Sequence, residues 1–345
     1  MSTSVAEPVD APAPRERGWG RVTFATLCFL VIPMTPLLRV LLPTEHTALL
    51  LAPALAACAV VGWLAGGRAM LAAAWTLVAA WSVARLSDGD GIFPLLQGGW
   101  AMLVAASFGV LVAARRDVTA PFLPRALRAI AMSVGVALLV TVAVPGGPTR
   151  VADGVAAEAG RRAEESRIGW HQMTGLPEWK DFVAKNPSAG EMANLVETQL
   201  TALPASARSL FPSLAALEAL MALALAWALY HRLGRARIGP PLGAIRDFRF
   251  NDHMVWGVVG GLALVLLPGV AIVRAIGANL LMFFGALYTI RGVGVFMWMA
   301  SPGRMATAAL VVLALLFWNV LGVMALGLGV GDTWLDWRSR VRTKT

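Results

Sequence analysis

The sequence predicts an all-α integral membrane protein: a bundle of eight or nine transmembrane helices with a small helical insert outside the membrane. Three observations carry that prediction. Of 345 residues, 58% are hydrophobic and 14% are charged, whereas a soluble domain carries about 25% charged residues. The apolar residues gather into runs of about 20, the length that crosses a bilayer as a helix. The basic residues behind the formal net charge of +9 sit mostly in the short gaps between those runs, where the positive-inside rule puts them, so the charge requires no nucleic acid. A secreted disulfide scaffold, a disordered chain and an ordinary cytosolic enzyme are excluded.

Residues 1–20 are rich in Ala, Pro and charge and read as a disordered cytoplasmic leader. They are too long and too mixed in charge for a signal peptide, so the first apolar run, 22–42, reads as an uncleaved signal anchor. Further spans follow at 47–65, 69–85, 92–114 and 127–144, completing a first group of five helices over 21–144. A second group of four over 210–330 comprises 210–230, 253–272, 275–299 and 305–329, with Pro268, Gly269 and Arg274 marking the break inside its longest apolar stretch. With the N-terminus inside, the leader and the inside gaps hold 14 basic residues, among them Arg68, Arg115, Arg116, Arg125, Arg128, Arg232, Arg246 and Arg304. The basic tail, 331–345, fits that count with eight spans and breaks it with nine, which would put the tail outside.

Between the two groups lies a different kind of sequence. Residues 145–209 hold 7 basic and 8 acidic residues, near neutrality in a strongly basic chain. Pro145-Gly146-Gly147-Pro148 breaks the chain, 150–170 reads as a helix, and Met192, Leu195, Val196 and Leu203 fall near helical spacing in a second one. The expected form is a polar helical cap lying on the outer membrane face, with little core of its own.

Ionisable groups within spans are functional candidates because each is costly in hydrocarbon. Glu218 stands in the middle of 210–230 and Arg291 two thirds of the way along 275–299. A Glu218–Arg291 pair would neutralise both, with Arg39 as the other possible partner. Asn279 and Asn319 lie in the last two spans; each can bond a ligand or a neighbouring helix. These four polar residues, gathered in the C-terminal spans, form the candidate ligand site. Asp252 reads as a helix cap, and Glu45-His46 and Asp88–Asp90 as solvated turns outside. Cys28 and Cys58 sit in apolar runs and read as small buried hydrophobes. No Cys/His spacing suits a metal, no Ser/His/Asp set or HExxH suits catalysis, and no glycine motif suits a nucleotide. No cofactor and no enzymatic activity are expected.

The second half carries a recognisable order of short motifs: Leu210-Phe-Pro-Ser-Leu, Tyr230-His-Arg-Leu, Pro240-Pro-Leu, Phe248-Arg-Phe-Asn-Asp-His-Met-Val-Trp256, Ala278-Asn279-Leu and Arg291-Gly-Val-Gly-Val. This order resembles the YybS-like family of bacterial polytopic membrane proteins, a domain of unknown function. The resemblance spans roughly 20–330 and is most specific over 210–300. Arg291-Gly292 departs from it, since family members often carry Gln-Gly there. The resemblance implies a multi-pass protein of the bacterial inner membrane. The family has been compared with the substrate-binding components of energy-coupling-factor vitamin transporters. That comparison implies a small-molecule carrier or transporter component, with the lipid bilayer, a small organic ligand and a cytoplasmic energising module as partners. The alternative is a structural or assembly scaffold that contacts another membrane protein through 145–209.

Overall fold

The computed structural model describes residues 19–31, 44–86, 92–114, 119–143, 145–234 and 236–340. The leader to residue 18, Arg39, the Asp88–Asp90 turn, Arg115, Arg116 and the last five residues lie outside that range. Helices and short connections make up the described residues. They are α1 (Trp19–Val31), α2 (Thr44–Leu64), α3 (Ala69–Leu86), α4 (Phe93–Ala114), α5 (Phe122–Ala143), α6 (Gly147–Thr174), α7 (Pro177–Lys185) and α8 (Pro187–Leu233). After a connector come α9 (Val255–Leu266), α10 (Ala271–Ala300), α11 (Arg304–Leu316), α12 (Trp318–Leu335) and α13 (Trp337–Arg340).

Five of these helices are long and apolar enough to cross a membrane: α2, α4, α5, α8 and α10. Among the described residues fewer helices reach spanning length than the eight or nine expected, and residues 32–42 of the first expected span lie outside them. Helix α9 has 12 residues where 253–272 was expected to cross, about 18 Å at 1.5 Å per residue against a hydrocarbon core of about 30 Å. The expected span 305–329 is interrupted at Phe317, where φ −117° and ψ 36° leave the helical region, and divides into α11 and α12.

Helices α2 and α8 form the axis of the first group. α2 packs on α3, α4 and α8, and α8 also touches α5, α6 and α10. Small residues make this possible. A Cβ at Gly62 would sit 1.7 Å from the Tyr230 hydroxyl, so α2 and α8 meet this closely only with glycine there. Trp227, fully buried, packs its ring 5.8 Å from Phe108 and 5.6 Å from Phe122, and its indole N–H donates to the carbonyl of Pro240. The deep tryptophan is therefore helix packing with a satisfied polar handle.

In the second group α12 lies antiparallel on α10, backbone against backbone. A Cβ at Gly292 would stand 1.7 Å from the Ala325 carbonyl oxygen, and one at Gly329 would stand 1.9 Å from that of Tyr288. Both helices end on a residue with positive φ, Ser301 at 39° and Asp336 at 36°.

The insert is not a flat cap. Its three helices each carry proline in the first turn, where the missing N–H leaves no bond unmade. The third, α8, continues without interruption into the bundle: 47 residues, about 70 Å. Asp153 pairs with Arg208 at 2.7 Å and His171 with Glu197 at 3.2 Å, so α6 runs antiparallel along the outer part of α8. Together they bury a core of their own, made of Val155, Ala159, Ala163, Leu200 and Ala207 and closed below by Phe93 of α4. The periodicity of 192–203 was legible; the apolar face of α6 was hidden among alanines.

Candidate functional site

Two polar centres are buried among the described residues, and neither is the expected one. The first lies where the insert meets the bundle. One face of α6 contributes Val155, Glu158, Ala159 and Arg162, and one face of α8 contributes Ala207, Phe211, Leu214, Ala215 and Glu218. Both sets follow helical spacing. His46 from the first turn of α2 and Phe93 from the first turn of α4 close the space, a cavity of ≈ 30 Å³. His46, expected in a solvated turn, is 7% exposed and stacks on Phe93 at 5.2 Å.

Arg162 organises the cavity wall. It bonds Glu158 at 2.8 Å and the Nε2 of His46 at 2.9 Å, with its guanidinium 5.0 Å from the Phe93 ring centroid. A guanidinium only donates, so the His46 Nε2 is the acceptor and carries no proton. Arg161 adds a second bond to Glu158 at 2.7 Å and also pairs with Glu165. Burial pushes the Glu158 carboxyl up, but the Arg161 hydrogen bond and the charge of Arg162 outweigh it and hold the group below the ordinary value of 4.5. Glu218 is 6% exposed, and its Oε1 accepts from no group among the described residues.

The second centre holds Arg291. Its Nε donates to Asp332 Oδ2 at 2.9 Å and its NH1 to Asp252 Oδ1 at 2.6 Å. Arg338 reaches the same Asp332 oxygen at 3.3 Å and donates to the carbonyls of Arg246 and Phe248. Arg249 pairs with Asp336 at 2.7 Å. The expected Glu218–Arg291 pair is not formed; two aspartates closer to Arg291 neutralise it. Asp252 pairs rather than caps: the cap of the turn at 252–254 is the Asn251 side chain, which accepts from His253 N–H.

Asn279 belongs to neither centre. Its Oδ1 accepts from Ser213 N–H at 3.0 Å and its Nδ2 donates to the Ser209 carbonyl at 2.7 Å. Those two backbone groups are the i and i+4 partners of a helical rung. Pro212 sits inside α8 beside that rung, where a proline ring crowds the preceding turn and opens it. The Asn279 amide bridges the gap. Asn319 lies at the start of α12. The four residues of the expected ligand site are thus dispersed. Glu218 faces the insert, Arg291 is in the second centre, and Asn279 repairs a helix.

Several residues of these centres escaped sequence reasoning. Glu158 and Arg162 entered only the charge count of 145–209, although their i, i+4 spacing beside Val155 and Ala159 was a signal. Asp332 was assigned to the tail because it follows the apolar run.

Long apolar helices, a buried arginine paired with aspartates and a helical insert whose core is closed by a bundle residue define a helical membrane protein. Residues 182–333 match the family model described as a predicted membrane protein (DUF2232), a domain of unknown function. The match runs from α7 through most of α12 and agrees with the YybS-like resemblance carried by the motifs of 210–300. No curated protein and no solved structure matches the chain.

Proposed function

We propose that the protein is a small-solute carrier, or the substrate-binding component of a transporter, in the inner membrane of a bacterium, and that it takes its solute at the junction of insert and bundle. The observation that carries this reading is Glu218: a buried carboxylate oxygen without a donor, on the wall of a cavity. A buried polar atom left unpaired is costly, and a solute that supplies the donor removes that cost. The cavity of ≈ 30 Å³ is far below the roughly 300–1,000 Å³ of organic-ligand pockets. A vitamin-sized solute therefore needs the insert to part from the bundle, whereas a small one fits the closed form. Native mass spectrometry of the purified protein, with thermal-shift screening of vitamins, their precursors and small ions, tests the reading. Retained solute or stabilisation by one of them is expected. Neither, across the whole panel, would sink it.

The scaffold alternative is favoured by one observation. The end of the insert far from the bundle exposes Ile168, Met173, Leu176, Phe182, Met192 and Leu195 at 41–67%, a patch of the kind that marks protein contacts. Reproducible co-purification of a second protein, lost when Phe182 and Met192 are changed to serine, would favour it.

In this reading the N-terminus is inside, the insert outside and the 234–254 connector inside. The bonds from Arg338 to the carbonyls of Arg246 and Phe248 support a tail on the connector's side. They favour an even number of crossings between the N-terminus and the tail.

A further inference from the structure

One surface of the insert takes no part in the cavity. Helix α7 (Pro177–Lys185) buries none of its nine residues, although a helix shorter than about 12–15 residues is marginal in water without packing. Its Trp179 ring leans on Trp170 at 6.0 Å and on Phe182 at 5.8 Å, yet Phe182 stays 50% exposed and Leu176 51%. Met173 from the end of α6 and Met192 and Leu195 from the start of α8 widen the exposed apolar patch. Lipid does not reach it. The outer part of α8, residues 187–209, is about 34 Å long, against a headgroup layer of about 5–8 Å on each side of the bilayer. The cover that such a patch calls for is protein. Charge narrows the choice of protein. Elsewhere on the insert acids and bases pair within the chain: Glu158 with Arg161 and Arg162, Glu164 with Arg167, Asp153 with Arg208. On α7, Glu178, Lys180, Asp181 and Lys185 form no ion pair among the described residues. Glu178, Phe182 and Lys185 stand at i, i+4 and i+7, so one exposed face of the helix reads negative, apolar, positive. That order is self-complementary. In an isologous contact residue i of one copy meets j of the other, and j meets i. With Phe182 at the axis, each Glu178 comes to Lys185 of the other copy. The five apolar side chains, each about half exposed, offer about 500 Å², and a charged rim extends that toward the roughly 800 Å² per partner of a stable interface.

We infer that the far end of the insert is a dimerisation surface on which a second copy of this chain docks, through a patch centred on Phe182 and reciprocal Glu178–Lys185 pairs. The inference stands apart from the carrier reading, since a dimer suits a carrier and a scaffold equally. Failure of every solute to bind would leave it untouched.

Light scattering of the full-length protein in detergent, over a concentration series, tests this directly. Wild-type protein should pass from monomer to dimer with a dissociation constant on the order of micromolar. Glu178→Lys alone, or Lys185→Glu alone, turns two attractive pairs into two repulsive ones and should weaken the dimer by about tenfold. The double variant Glu178→Lys with Lys185→Glu restores opposite charges across the axis and should dimerise about as well as wild type. Restoration within one chain is specific to self-pairing, because a different protein would keep its own charges. Phe182→Ser with Met192→Ser should stay monomeric. In membranes, in a chain with Cys28 and Cys58 changed to alanine, Phe182→Cys should form an intermolecular disulfide and Ser206→Cys, nearer the bundle, should not. Folded wild-type protein that remains monomeric up to roughly 100 µM overturns the inference. So does a double charge variant as weak as the single ones, a Phe182→Cys chain that links no better than Ser206→Cys, or a different protein found on the patch in place of the second copy. The wild-type series decides even where a variant fails to fold.

Discussion

Asn279 shows how a half-buried polar side chain within a span can look like a ligand site and be helix repair. The amide joins Ser209 C=O and Ser213 N–H across the rung that Pro212 opens. Asn279→Leu would remove both bonds, at roughly 1–3 kcal/mol for the buried Ser213 N–H and less for the exposed Ser209 carbonyl. The melting temperature of the detergent-purified protein should fall clearly. An unchanged melt would show that water replaces the amide. Glu158 gives a pH-dependent prediction. Its folded value lies below the ordinary 4.5, so its contribution to stability is present above 4.5 and is lost as pH falls through the folded value. Melts recorded at progressively lower pH should show the wild-type advantage over Glu158→Gln shrinking below 4.5. An advantage that persists through acidification would contradict the assignment.

Between elements, close approach of backbones decides the packing, and glycine decides where that is possible. Gly292 faces the Ala325 carbonyl with no room for a methyl group, whereas a Cβ at Gly285 on the same helix meets nothing within 4 Å. Gly292→Ala must push α12 off α10, a strain typically of 1–3 kcal/mol or more. Gly285→Ala should be neutral or stabilise by up to about 1 kcal/mol, because alanine is the better helix former. Equal melts for the two variants would disprove the α10–α12 contact. The same pair of helices is tied by Arg291, 3% exposed, and Asp332, 1% exposed. Removing one partner of a buried pair leaves an uncompensated charge, so Arg291→Met should cost on the order of 3–5 kcal/mol. Arg291→Met combined with Asp332→Leu should recover much of that loss; failure to recover would show that Asp252 and Arg338 dominate the centre.

For the whole molecule, the testable statement is which surfaces share a side of the membrane. The insert and the connector lie at opposite ends of the bundle-spanning part of α8, and the tail is bonded to the connector. In a chain with Cys28 and Cys58 changed to alanine, Ser188→Cys should react with a membrane-impermeant reagent in intact cells. Gly243→Cys and Ser339→Cys should react only after permeabilisation. Labelling of Ser188→Cys only after lysis would reverse the orientation, and labelling of Ser339→Cys in intact cells would put the tail on the insert's side.

The sequence by itself determined the class. Charge depletion and apolar runs are one-dimensional consequences of lipid contact, and they show the class because each residue obeys them independently. Helix identity followed for the same reason, since backbone groups in hydrocarbon must be satisfied within the segment. Only the tertiary structure decided partners. Arg291 chose Asp252 and Asp332, 39 and 41 residues away, over Glu218, because helix packing set their distances and composition did not. Glu218 was legible as a costly buried acid. The cavity that makes it a candidate site was not, because it needs His46, Phe93 and Arg162 brought from three other helices. The continuity of α8 was equally hidden. Its polar outer half and apolar inner half read as two elements, and the shared core with α6 and the Asn279 bridge past Pro212 are what make them one helix.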